Sequence, residues 1–147
     1  MSDFDTKLNG TLYGLLRWSD WDALLQHLGN ERERRWFVYA VGSEPPTVPL
    51  NPDALQRVVG EIDKLLRRDH DEDYLGIVYV DDLTTPSLIK IYDPNNLGAA
   101  CGSIGYKVPP GWILSTDAPS AIATTAPLPG NRRRWWIDLR ERFMASG

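Results

Sequence analysis

Apolar positions along the chain follow two patterns: a three-and-four spacing that marks helix faces, and short continuous or alternating runs that mark strands. The longest helical stripe lies between residues 51 and 68, where Ala54, Leu55, Val58, Val59, Ile62, Leu65 and Leu66 share one side. Asn51 is the expected N-cap, Pro52 fits the first helical position, and Asp53 suits the positive end of the helix dipole. Arg67 and Arg68 suit its negative end, and the polar run DHDED at residues 69–73 closes it. A second helix follows Trp18, with Trp21, Leu24, Leu25 and Leu28 on its buried face. Here Ser19 is the expected N-cap, Asp22 its capping-box partner and Gly29 the stop. A weaker amphipathic turn spans Leu8 to Arg17, where Gly10 and Gly14 lower the helix propensity.

The run RWFVYAVG at residues 35–42 is apolar throughout and rich in aromatic and β-branched side chains, which predicts a strand buried on both faces at the centre of a sheet. The prolines of SEPPTVPLN that follow predict an extended connection. Residues 74–80 (YLGIVYV) and 88–92 (LIKIY) read as an antiparallel pair joined by DDLTTPS, and residues 112–115 as a further strand. The last segment, RRRWWIDLRERFM, is ambiguous. Trp135, Ile137 and Leu139 alternate as in a strand, whereas Trp136, Leu139 and Phe143 fit one helix face. Three arginines at a helix N-terminus oppose the dipole, which tips the balance toward a strand fraying into a helical tail.

These elements predict an α+β fold: a mainly antiparallel sheet of four to five strands with two to three helices packed on one face. Residues 1–147 form a single domain, with a Gly/Pro-rich loop at 93–111 and an Ala/Thr/Pro-rich surface excursion at 117–131. Composition narrows the picture. A chain of 147 residues with one cysteine has a core of adequate size and no internal disulfide, which fits a reducing, cytoplasmic setting. The N-terminus lacks the pattern of a signal peptide, and no apolar run reaches the length of a membrane span. The net charge of −4 is unevenly distributed: residues 131–147 carry five arginines against Asp138 and Glu141. The body is therefore acidic, which argues against binding a nucleic-acid backbone, while the basic end suits an acidic partner.

Candidate chemistry centres on DPNNLGAACGSIGYKVPPGW, residues 93–112, which holds four glycines, three prolines and Cys101. A cysteine nucleophile needs a base, and His70 within the acidic run is better placed than His27 on the first helix flank. The plain alternative is a buried, inert thiol. The glycines match no phosphate-binding fingerprint, since GAACGSIG lacks the Lys-Ser/Thr of a P-loop and opens no helix. Two carboxylate clusters, Asp69 to Asp73 and Asp81 with Asp82, lie at opposite ends of a predicted strand, about 20 Å apart, too far to share an ion. No metal or other cofactor is expected. Asp93, Asn95, Tyr106 and Trp112 instead suggest a loop pinned to the core, and Arg133, Arg134 and Trp136 have the composition of an interface. The expected function is a noncatalytic binding or regulatory module that meets a protein partner or a second copy of itself through the Arg/Trp-rich end. The alternative is a small cysteine-dependent enzyme or thiol sensor using Cys101 with His70.

Overall fold

The computed structural model describes residues 3–97, 109–122 and 130–144. Its centre is a five-stranded, wholly antiparallel sheet in the order β1-β3-β4-β5-β2. The strands are β1 (Tyr13–Leu15), β2 (Phe37–Ala40), β3 (Val78–Val80), β4 (Leu88–Ile91) and β5 (Trp112–Ser115). The helices are α1 (Asp3–Leu8), α2 (Trp18–Asn30), α3 (Pro52–Asp69), the single turn α4 (Pro94–Leu97) and α5 (Gly130–Leu139), which runs on as a π-helical turn over Arg140–Met144. The fold is α+β, as the hydrophobic pattern predicts.

α3 carries most of the core. Asn51 accepts a hydrogen bond from the Ala54 backbone N–H at 2.8 Å, and all seven residues of the apolar stripe are buried. They pack with Val38, Ala40, Val78, Val80, Ile89, Ile91, Trp112 and Leu114 of the sheet, together with side chains of α2 and α5. The opposite face of the sheet is covered in part by α1, where Phe4 is buried with Tyr39, Val41, Leu88 and Ile113. One element thus lies outside the expected one-sided helix layer.

Several local expectations are corrected. α2 begins at Trp18, and its first turn is held by the Asp20 carboxylate, which accepts from the Arg17 backbone N–H at 3.2 Å, rather than by Ser19 and Asp22. Asp22 instead pairs with Arg67, which also reaches Asp63 at 2.9 Å, and Trp21 Nε1 donates to Asp63 at 2.8 Å. These contacts lock α2 to α3. Gly29 lies inside α2, and residues 8–17 give the end of α1 and strand β1 instead of one amphipathic turn.

β2 is an edge strand, not a central one. Its apolar run reflects burial on both faces, because Val38 and Ala40 point to the helices and Tyr39 and Val41 to the α1 side. The number of strand neighbours is a separate matter. The proline-rich segment shields the outer side, with the Leu50 N–H donating to the Trp36 carbonyl at 2.8 Å. β3 is shorter than its apolar run because Gly76, at φ +69°, takes residues 74–77 out of regular strand geometry.

The largest correction concerns residues 130–144, which are helical. In a helix neighbouring side chains diverge by about 100°, so Trp135 and Trp136 can both turn inward, as consecutive strand residues cannot. Trp136 and Leu139 are buried and Trp135 packs against the same core.

Candidate functional site

The stems of the Gly/Pro-rich loop meet at the end of β4. The Gly111 N–H donates to the Ile91 carbonyl at 2.8 Å, and the Gly111 carbonyl accepts from the Val41 N–H at 3.0 Å. A side chain at Gly111 would place its Cβ 3.0 Å from Asp93 Cβ and 3.1 Å from the Asp93 nitrogen, so any larger residue there must push Asp93 aside by a few tenths of an ångström. Asp93 then shapes the outgoing turn, accepting from the Asn95 N–H at 2.9 Å. Tyr106 and Cys101, like Gly98, Gly102 and Gly105, lie outside the described residues.

The stems are clamped from above by α5. Arg132 sends Nε to Asp93 Oδ2 at 2.7 Å and Nη2 to Oδ1 at 3.2 Å, a forked pair in which Arg132 is 6% and Asp93 3% exposed. The guanidinium lies over the rings of Trp112 and Trp135, at 5.9 and 5.6 Å, and those rings meet edge to face at 5.8 Å. Asp69, the last residue of α3, sits 3.6 Å from Arg132 Nη2 and accepts from Arg68 at 2.8 Å and from Asn95 Nδ2 at 2.8 Å. The hydrogen bond from Arg68 is the main cause that holds the Asp69 carboxyl down to about 2. Burial opposes it, while Asn95 and the charges of Arg68 and Arg132 reinforce it. Two carboxylates and two guanidiniums thus join α3, β4 and α5 in one balanced network.

The sequence-predicted site residues divide between this network and other places. Asp93, Asn95 and Trp112 are brought together at the loop base, where Trp112 is core and Asp93 is consumed by Arg132. Trp136 is buried at 4% exposure within the protein's own core, whereas Arg133 and Arg134 are exposed. His70 caps α3: its N–H donates to the Leu66 carbonyl at 2.8 Å, and its ring lies 6.0 Å from that of Trp18. Ring Nε2 lies 2.7 Å from the Leu75 carbonyl and 3.3 Å from that of Tyr74. Two acceptor oxygens fix the proton on that nitrogen, which therefore has no lone pair to offer a thiol. Arg132 is the arginine that joins the loop base, and sequence reasoning passed over it in favour of its neighbours. Its partner Asp93 is 39 residues away, and no local pattern singles it out.

The second carboxylate cluster, Asp81 and Asp82, acts on the backbone. Asp81 accepts from the Ser87 N–H and hydroxyl and from the Leu88 N–H, closing the β3–β4 hairpin. Burial pushes its carboxyl up, but the bonds from Ser87 and Leu88 outweigh this and leave it below the ordinary range. Asp82 accepts from the Thr84 and Thr85 N–H groups. Among the described residues no three Asp, Glu, His or Cys side chains converge to hold a metal ion, and no helix is long and apolar enough to cross a membrane.

Two clefts remain. One of about 490 Å³ lies between β1, α2 and the β3–β4 hairpin, with His27 in its lining. His27 Nε2 is buried 3.3 Å from a Glu31 carboxylate oxygen and has no hydrogen-bond partner among the described residues. The other, of about 670 Å³, lies between α5, β2 and the proline-rich segment. In comparisons with known protein families, curated proteins and solved structures, the chain matches none.

Proposed function

We propose that this protein is a noncatalytic binding module that meets a protein partner through the surface built on α5 and the stems of the 93–112 loop. The observation that carries the reading is the buried Arg132–Asp93 pair, which fixes α5 on the loop base and leaves Arg133 and Arg134 exposed beside it. Arginine presented from a rigid support, next to aromatic side chains, has the character of interface anchors. The polar groups at the loop base are engaged with one another, and ring nitrogen Nε2 of His70 is held as a donor to carbonyl oxygens. Both features favour support over turnover.

The test pairs capture with thiol chemistry. Arg133→Ala with Arg134→Ala should weaken partner retention several-fold while shifting stability by no more than about 0.5 kcal/mol, as expected for exposed substitutions. Cys101 should alkylate with iodoacetamide no faster than an ordinary thiol. Rapid alkylation near neutral pH, together with capture that ignores both arginines, would replace this reading with a thiol-based one.

A further inference from the structure

β1 is one edge of the sheet, and its outer side has no partner strand among the described residues. Edge strands are ordinarily blunted by charge, proline or a bulge, yet the run TLYGLL over residues 11–16 contains no charged residue and no proline. Of the six large hydrophobic side chains that stand exposed among the described residues, four gather here: Leu16 and Leu83 at 63%, Tyr74 at 62% and Tyr13 at 46%. Leu16 and Leu83 line the same 490 Å³ cleft, whose apolar wall includes Leu15, Leu24 and Val80. Tyr74 precedes Leu75, whose N–H donates to the Leu16 carbonyl at 2.9 Å. Such a concentration of exposed apolar surface marks an interaction site.

The surround is acidic. Trp18 Nε1 donates to the Glu72 carbonyl at 2.9 Å, which brings the exposed Asp71, Glu72 and Asp73 to one end of β1. Asp20 and Asp82 enter the cleft wall. None of these five carboxylates pairs with a cation among the described residues. The neighbouring cations are engaged elsewhere: Arg67 with Asp22 and Asp63, and Lys90 over the rings of Tyr79 and Tyr92. Arg17, also in the cleft wall, is left to offset the acidic excess.

We infer that the β1 edge binds an extended, basic segment of another protein, which adds a strand beside Tyr13–Leu16, seats apolar side chains against Leu16 and Leu83, and sets lysine or arginine against the surrounding carboxylates. The open strand edge calls for an extended occupant, since its free backbone groups are met by those of another strand. The unpaired carboxylates call for a basic one. A second copy of the chain is disfavoured, because pairing β1 with itself about a two-fold axis would crowd two sets of these carboxylates around one small interface. β1 and β2 are opposite edges of the sheet, so this surface is separate from the one built on α5 and stands or falls apart from it.

A random peptide library displayed on phage, selected against the full chain, tests it. Selection should enrich sequences that alternate Lys or Arg with large apolar residues, and their binding should weaken with added salt. Reversing two exposed charges, Asp71→Lys with Asp73→Lys, should weaken binding by roughly tenfold or more. Leu16→Lys should have the same effect, and both variants should melt with the wild type. A selected peptide N-methylated at alternate backbone nitrogens reads the pairing itself. Methylation in one register should abolish binding and in the other leave it unchanged, because only one row of N–H groups faces β1. Arg133→Ala with Arg134→Ala should bind the peptide as the wild type does. Enrichment of acidic or neutral peptides, no enrichment at all, binding that ignores the charge reversal, or an equal response to the two methylation registers would overturn the assignment. So would a dimer of the wild-type protein that dissociates in Leu16→Lys, since the edge would then belong to a second copy. Peptides that depend on Arg133 and Arg134 but not on Leu16 or the acidic residues would also overturn it, while supporting the α5 surface.

Discussion

α3 and α5 pack on the same face of the sheet, yet they are held there by different means. α3 has a correct N-cap, a first-turn acid, last-turn arginines and an unbroken stripe of seven buried side chains. Each local preference agrees with the final packing. α5 starts at Gly130, without a side-chain cap in its sequence, and opens with three arginines against its own dipole. It docks through Trp136, Leu139 and the ion pair of Arg132 with Asp93. A helix specified by its own sequence serves as scaffold here, and one specified by a distant carboxylate carries the exposed cations. Local consistency marks the frame, and local conflict marks the element whose state is decided by tertiary contacts.

The largest expected effect lies on the scaffold side. Ile62→Ala, in the buried stripe of α3, should cost about 2–5 kcal/mol in urea unfolding. It should lower the midpoint of the whole chain, and a loss confined to α2 and α3 would break the idea of one shared core. Next comes the loop base: Gly111→Ala forces a contact with the Asp93 backbone and should cost about 1–3 kcal/mol. The smallest effect is acid sensitivity. Asp69 is held at about 2 in the folded protein, below the ordinary value of 3.8, so its contribution is present in full above about pH 4. That contribution, of order 1 kcal/mol after allowance for solvent screening, is lost as the pH falls from 4 through 2. Asp69→Asn should remove this part of the pH dependence, and an unchanged acid limb would show that the network at the loop base adds no stability.

The legible part of the fold is the part set by short-range pattern. The α3 stripe, the β3–β4 hairpin and β5 follow from spacing within a few residues. The position of β2 did not follow, because an apolar run reports burial of two faces and is silent on which strands lie alongside. The helical state of residues 130–144 did not follow either. Alternation and helical spacing both fit that segment, and the dipole argument omitted an acid that enters from β4. The candidate site was half visible: Asp93, Asn95 and Trp112 stood out as loop-stem residues, whereas Arg132 could not be told from Arg133 and Arg134. Only the folded chain shows which arginine turns inward.

The Asp93–Arg132 pair fastens α5 to the loop base, with Arg133 and Arg134 exposed beside it. A double-mutant cycle with Asp93→Asn and Arg132→Met, read as unfolding free energy, tests it most directly. A coupling of about 2 kcal/mol is expected, within the range for hydrogen-bonded neighbours, with the double variant costing less than the sum of the two single changes. Effects that simply add, within about 0.5 kcal/mol, would contradict it.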